Sequence, residues 1–270
     1  IINSFNGAKF LEKSINSVLN QTYKNLEIVF WDNASTDDTK KKLQSFSDSR
    51  LKPFFSTSFK KLYDAKHQAV LNSNGKYLAF LDVDDWWTQD KLFKQINKMK
   101  NEKKNISCSN YWIVNENKNS IKKAFKIRTN KNNNFNFALQ KYFIGMSSLI
   151  ISKKLYQNLE YGFDKSFEVI GDYDLVLRIL KHNEITYINE PLSYYRWHES
   201  NLSHKKFRLN ILELIKWRNK IIKIKNFFSK NNLVYINDHL LYLMSIYLKN
   251  KDKKINFFLF FKRTKKIKNK

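Results

Sequence analysis

The residues most able to do chemistry stand together as Asp82-Val83-Asp84-Asp85, directly after the apolar run Tyr77-Leu78-Ala79-Phe80-Leu81. Side chains alternate along an extended chain, so Asp82 and Asp84 are expected on one face, with Asp85 toward the following turn. Two carboxylates on one side make a hard oxygen site. Mg²⁺ or Mn²⁺ binds such sites through one or two protein carboxylates and completes its shell with substrate phosphate oxygens. The implied substrate carries a diphosphate. The weaker local alternative is that the same acidic turn only caps the helix expected from Gln89 to Lys100.

The elements that must position this cluster alternate between strand and helix patterns. Ile1 to Phe5 reads as the end of a strand, and Leu11, Ile15, Val18 and Leu19 recur at helical spacing. Leu26 to Trp31 is an apolar run of strand length, followed by Ser35 and Asp38 at capping-box spacing before a Lys-rich helix to about Phe46. Leu51 to Phe55 reads as a third strand. A helix from about Phe59 to Asn72 then leads through Asn74-Gly75 into the strand that ends at Asp82. This alternation predicts an α/β fold with a mostly parallel central sheet and helices on both faces. In such sheets ligands bind at the carboxyl ends of the strands. Asn3 and Phe5 follow the first strand, Asp32 and Asn33 the second, and Asp82 to Asp85 the fourth, so three polar clusters are expected on one edge.

Composition narrows the classes. A chain of 270 residues with 42% apolar content can bury a core, and its formal charge of +26 points to a phosphate-rich partner or an anionic surface. Lys, Asn, Ile and Phe are abundant and Gly and Pro scarce, a drift that lets part of the charge carry no function. The single Cys108 excludes an internal disulfide and a cysteine-based metal cluster, and reads as a small buried hydrophobe. No window reaches the roughly 18 apolar residues of a spanning helix, so a cytoplasmic location is expected. The chain opens at Ile1 inside a strand already under way, which reads as a fragment lacking a few residues.

Four segments in order, Ile1-Ile2-Asn3-Ser4-Phe5-Asn6-Gly7-Ala8-Lys9-Phe10-Leu11, Ser17-Val18-Leu19-Asn20-Gln21-Thr22-Tyr23, Asp32-Asn33-Ala34-Ser35-Thr36-Asp37 and Gly75 to Asp85, resemble the family 2 glycosyltransferases of GT-A fold. Matching pieces continue at Gly171-Asp172-Tyr173-Asp174-Leu175-Val176-Leu177-Arg178 and Tyr194-Tyr195-Arg196-Trp197-His198, so the resemblance covers about residues 1–205. It implies a catalytic domain over 1–204, inverting transfer of a sugar from a nucleoside diphosphate sugar, and a divalent metal, Mn²⁺ or Mg²⁺.

The resemblance also implies roles. Phe5 would stack on the donor base, with Asn3 and Asn33 offering amides to its edge and Asp32 beside them. Relatives that use uridine often carry Asp where Asn33 stands, a departure here; an Asn carbonyl oxygen can accept the same imide proton, so a uridine diphosphate sugar stays the leading donor with thymidine and guanosine open. Lys66 would offset phosphate charge or be a solvated helix lysine. Asp84 would ligate the metal, Asp82 would hold the ribose or reach the metal through water, Asp85 would order the loop, and Val83 would lie within the donor site. Asp172, opening a helix with Leu175, Val176, Ile179 and Leu180 on its apolar face, would be the base that takes the acceptor proton. Local sequence alone suits a helix cap equally well. Asp174 and Glu168 are the fallbacks, and the helix dipole is expected to lower the pKa of Asp172. Arg196 and His198 would close on the diphosphate or metal, and Gly145, Met146, Ser147 and Trp87 would line the acceptor pocket.

Residues 205–270 read as a basic, aromatic-rich helical extension, including Ile211, Leu212, Ile215, Trp217, Ile221 and Ile222 and ending in Phe257-Phe258-Leu259-Phe260-Phe261-Lys262-Arg263. Such helices suit an anionic membrane surface at the inner face, where lipid-linked acceptors of cell-surface glycan synthesis would be met, or they pack on the catalytic domain. Two other classes compete. A nucleic-acid-binding protein would leave the acidic cluster without a role, and nucleic acid is not an expected partner. A non-catalytic relative acting as an interaction module would be expected to lose Asp84 or Asp172.

Overall fold

The computed structural model describes residues 1–125, 134–224 and 227–249. In chain order the first half runs β1 (Ile2–Ser4), α1 (Leu11–Leu19), β2 (Ile28–Asp32), α2 (Thr39–Gln44), β3 (Leu51–Phe55), α3 (Leu62–Leu71), β4 (Tyr77–Ala79), β5 (Leu81–Asp82), β6 (Trp86–Trp87) and α4 (Lys91–Asn101). The second half runs β7 (Ile106–Asn115), β8 (Ser120–Lys123), α5 (Asn134–Gln140), a 3₁₀ turn (Met146–Ser148), β9 (Ile150–Ser152), α6 (Lys153–Gln157), α7 (Gly171–Leu180), β10 (Thr186–Trp197), α8 (Leu202–Lys205), α9 (Phe207–Ile221) and α10 (Lys230–Lys249).

Strands β3, β2, β1 and β5 form an all-parallel sheet in that order. Every residue of β2 is buried, as expected of a strand covered on both faces. Ile28 and Phe30 pack with Ile2 against Leu11, Ile15 and Val18 of α1. Val29 and Trp31 face the other way, onto Ala65 and Ala69 of α3. The apolar stripe read in α1 is therefore its buried face.

The second sheet departs from the mostly parallel expectation. It runs β4-β9-β7-β10-β6 with β8 beside β7, and only the β7–β10 pair is parallel. The stretch from Tyr77 to Asp82, which reads as one strand, is divided at Phe80. Residues before it pair with β9 in the second sheet, and residues after it pair with β1 in the first. One extended run thus stitches the two sheets together just upstream of the acidic cluster.

Three local expectations are corrected. Ser35 and Asp38 form no capping box. Ser35 Oγ instead accepts from the backbone N–H of Asn6 at 2.9 Å, and α2 starts at Thr39 behind Asp38. Asn6 Oδ1 accepts from Thr36 N–H at 2.8 Å, so these polar residues cross-link the loops after β1 and β2. Helix α3 starts at Leu62 rather than near Phe59, and α4 starts at Lys91 behind Asp90, which removes the helix-capping role for Asp82 to Asp85.

Helices α9 and α10 share one apolar cluster with α5, α7 and the second sheet, through Ile211, Leu214, Trp217, Ile221, Ile236 and Leu240. The segment Phe257 to Arg263 lies outside the described residues. Among the described residues, no helix is long and apolar enough to cross a membrane.

Candidate active site

The tetrapeptide Asp82 to Asp85 is a turn, not a continued strand. The backbone N–H of Asp85 donates to Asp82 O at 2.9 Å, so strand alternation does not govern where Asp84 points. Val83 turns inward, 9% exposed, against Gly7. A Cβ on Gly7 would meet Val83 Cγ1 at 2.8 Å, so the close approach of the first loop to the acidic turn requires glycine there. The Val83 side chain belongs to the core, which leaves only its backbone for a donor.

Each carboxylate of the turn has its own environment. Asp85 is buried, accepting from Ser147 Oγ at 2.5 Å and from the backbone N–H of Arg196 at 2.9 Å. Burial, with the charges of Asp84 and Asp82, pushes its carboxyl well above the usual range. This is the loop-ordering role expected of it. Asp84 is partly exposed, and its Oδ2 lies 3.0 Å from His198 Nε2 and 3.3 Å from Asn201 Nδ2. Asp82 Oδ1 accepts from Lys66 Nζ at 2.5 Å. Lys66 is 1% exposed, so it is no solvated surface lysine; its charge is held beside the acidic turn.

Asp172 lies in the first turn of α7 on the same edge. Its Oδ1 accepts from Tyr63 Oη at 2.7 Å, and Tyr142 Oη stands 3.4 Å from Oδ2. Tyr63 and Lys66 are one turn apart on α3, so a single helix holds Asp172 and Asp82 from sequence-distant elements. The expected lowering of the Asp172 pKa is reversed. Burial raises it, and the hydrogen bonds from Tyr63 and the Tyr173 backbone offset only part of that. The partial charge of a helix terminus is smaller than the cost of burying a carboxylate.

The two fallback carboxylates have structural partners. Asp174 is fully buried, paired with Arg178 at 2.7 Å, and accepts from Trp217 Nε1 at 2.9 Å, which ties α7 to α9. Glu168 is bound by Lys206.

The remaining expected residues divide. Phe5 is 49% exposed and packs edge-on against the exposed Phe59, ring centroids 4.8 Å apart, leaving an aromatic platform at the end of β1. Asn3 and Asp32 are buried beside it, with both amide atoms of Asn3 and Oδ1 of Asp32 lacking a protein partner among the described residues. Asn33 is occupied otherwise: its amide donates to Lys60 O at 2.8 Å and accepts from Lys60 N–H at 3.1 Å. Its amide therefore shapes the wall instead of presenting a free edge.

Arg196 is buried between Phe10 and Trp86, its guanidinium 4.9 and 4.7 Å from their ring centroids. It donates to Asp84 O at 2.9 Å and pairs with Glu116, so here it braces the acidic turn. His198 stacks on Phe10, centroids 5.2 Å apart, with Nε2 on Asp84. The expected acceptor residues also serve the turn or the core. Trp87 is buried and donates to Ser147 O at 2.8 Å; Ser147 holds Asp85; Met146 is buried; Gly145 lies under the Tyr111 ring.

Sequence reasoning missed Tyr63, Tyr142 and Glu213. Glu213 of α9 accepts from the backbone N–H groups of Glu168, Val169 and Ile170 at 2.8, 2.8 and 3.2 Å, fixing the loop that delivers Asp172. Its signal was available: an acidic residue among the apolar positions Ile211, Leu214 and Trp217. The tyrosines gave none, since a Tyr in an apolar pattern reads as core.

A divalent cation fits the donor set in kind. Asp84 and His198 bring a hard oxygen and an imidazole nitrogen to one point, and Mg²⁺ or Mn²⁺ needs no full protein cage. Among the described residues, no three His, Cys, Asp or Glu side chains form such a cage.

Comparisons with known proteins agree with this architecture. The family model described as Glycosyl transferase family 2 matches residues 1–159. The chain is 35% identical over 214 residues to the Escherichia coli UDP-Glc:alpha-D-GlcNAc-diphosphoundecaprenol beta-1,3-glucosyltransferase WfgD, covering 77% of this chain and 80% of that one. It is 33% identical to the E. coli enzyme of the same description, WfaP, covering 83% and 85%. Among solved structures, S. aureus TarS 1-349 in complex with UDP-GlcNAc superposes with a TM-score of 0.71 at 15% identity, covering 94% of this chain and 75% of that one. Against the longer TarS chain it spans 42% of that chain's length. The mannosyltransferase PcManGT from Pyrobaculum calidifontis, with GDP-Man and Mn²⁺, superposes with a TM-score of 0.65 at 16% identity, covering 95% of this chain and 75% of that one. A parallel sheet that carries its acidic turn at the carboxyl edge, a family model spanning more than half the sequence and relatives at a third identity converge: the chain belongs to glycosyl transferase family 2, on a GT-A fold.

Proposed function

We propose that the protein transfers a sugar, with inversion, from a uridine diphosphate sugar to a hydroxyl of a lipid-linked glycan acceptor in bacterial surface-polysaccharide synthesis. The observation that carries this reading is the meeting of Asp82 and Asp172 on one helix, through Lys66 and Tyr63. One acidic group then belongs to the donor's diphosphate side and the other to the attacking hydroxyl. The relatives' donor and acceptor, UDP-glucose and a GlcNAc-diphosphate lipid, support the choice of substrates.

The residues would act as follows. Phe5, with Phe59, stacks on the base, and Asn3 and Asp32 supply polar contacts near it. Asp84 and His198 are the residues that would hold a divalent cation. That cation, when bound, supplies Lewis-acid stabilisation of the leaving nucleoside diphosphate. Asp172 accepts the proton of the acceptor hydroxyl as its oxygen bonds to the anomeric carbon. The bond from that carbon to the diphosphate oxygen breaks, and its electron pair leaves with UDP. Lys66 keeps Asp82 in place. The basic helical extension, with Leu212 half exposed and Lys216 and Lys223 on the same helix region, is proposed to meet the anionic surface that presents the acceptor.

A thermal-shift panel tests the donor half. UDP with Mn²⁺ is expected to raise the Tm by roughly 5 °C at a hundredfold excess over Kd, more than GDP, dTDP or CDP does under the same conditions. No shift with any nucleotide in the folded protein would overturn the reading.

A further inference from the structure

We infer that Tyr63 is a positioning residue for Asp172, a hydrogen-bond partner able to serve that carboxylate both before and after it takes a proton. The inference rests on the reading of Asp172 as the base. Tyr63 is 4% exposed, and its Oη lies 2.7 Å from Asp172 Oδ1 and 3.1 Å from the carbonyl oxygen of Val169. A phenol has one proton and can also accept. Two acceptors therefore share one donor, and the state of Asp172 decides which of them receives it.

While Asp172 is ionised, the Tyr63 proton lies on the shorter, charge-assisted line to the carboxylate. When Asp172 has taken the acceptor hydroxyl's proton, Tyr63 turns its O–H about the C–O bond toward Val169 O, and its oxygen accepts from the new carboxylic acid. No proton leaves Tyr63 and no bond to it is made or broken. Burial and the charge of Asp172 push the Tyr63 hydroxyl well above its ordinary pKa, so the phenol stays neutral through the cycle.

The ring is fixed for this work. Gly171 has no Cβ, and one added there would come within 2.4 Å of Tyr63 Cγ and Cδ2, so the ring lies against the backbone that starts α7. Phe163 also packs against it, ring centroids 5.4 Å apart. Val169 O is itself held, because the loop from Glu168 to Ile170 is bonded through its N–H groups to Glu213. The other titratable groups that bear on Asp172 are Tyr142 on Oδ2, Lys66 along α3, Asp82 at the end of β5 and Tyr111 on β7. Tyr63 and Lys66 favour its charged form, whereas burial and Asp82 oppose it.

The test is Tyr63→Phe, which removes one oxygen and keeps the ring. Loss of the donor to the ionised carboxylate is expected to raise the Asp172 pKa by about one unit, read by ¹³C NMR of labelled aspartate carboxyls. The acidic limb of the kcat profile, measured with UDP-glucose and a synthetic α-GlcNAc-diphosphate carrying an alkyl chain, should move to higher pH by the same amount. The KM for UDP-glucose should hold. Tyr142→Phe, which removes the longer contact, should move the limb less. If Tyr63→Phe lowers only the Tm and leaves limb and carboxyl titration in place, the positioning role is overturned. Asp172→Asn separates the two readings: an inactive Asp172→Asn with an unmoved Tyr63→Phe limb sinks this inference alone, and an Asp172→Asn of parent activity sinks the base assignment itself.

Discussion

Asp172→Asn lowers kcat by about 10² to 10⁴ and leaves the KM for the donor within about twofold, because the lost step is proton acceptance rather than binding. The substitution is close to isosteric. An Asn carbonyl oxygen can still accept from Tyr63 Oη, so the contact at 2.7 Å and the start of α7 survive. What the amide cannot do is take a proton from a sugar hydroxyl. Steady-state kinetics with the synthetic acceptor, beside a melting curve, separates chemistry from folding. Asp174→Asn makes the informative contrast. Asp174 is fully buried with Arg178 and Trp217 as partners, so its loss should appear in the melting curve first.

Asp84→Ala abolishes the metal-dependent part of UDP binding. Asp84 is, with Asp82, one of two partly exposed carboxylates of the turn, and its Oδ2 is where His198 and Asn201 converge. Removing a direct ligand should cost more than the roughly 10- to 100-fold typical of outer-shell partners. The turn itself should persist, since it is closed by the Asp85 N–H to Asp82 O bond and anchored by Ser147 and Arg196 on Asp85. Calorimetric titration of UDP with and without Mn²⁺ should therefore show the parent gaining affinity from the metal and Asp84→Ala gaining none.

Much of the first sheet was legible because its signals are local. A buried parallel strand such as Ile28 to Asp32 reads as an apolar run, and α1 declares its stripe through Leu11, Ile15 and Val18. The acidic turn was legible by composition, although its geometry was not. A hydrogen bond from Asp85 N–H to Asp82 O ends the alternation that would have aligned Asp82 with Asp84. The handover at Phe80 was invisible, since the run on either side of it is equally apolar and only the long-range pairing to β9 and β1 divides it. The same holds for the site. Asp172 could be picked out by the motif around it, whereas Tyr63 acts from a position 109 residues away in sequence, and nothing in a single tyrosine marks it as that carboxylate's partner. Burial reversed the expected pKa direction for Asp172 because a sequence shows the helix terminus but not how deeply the terminus is covered.

In the proposed single displacement, Asp172 takes the acceptor proton while the diphosphate leaves from the opposite face. The most direct test is the anomeric configuration of the product formed from α-linked UDP-glucose and the synthetic α-GlcNAc-diphosphate acceptor, read from the ¹H NMR coupling of the new anomeric proton. The expected product is a β-linked glucose, formed by the parent and lost in Asp172→Asn. An α-linked product, or equal yields of product from parent and variant, would contradict it.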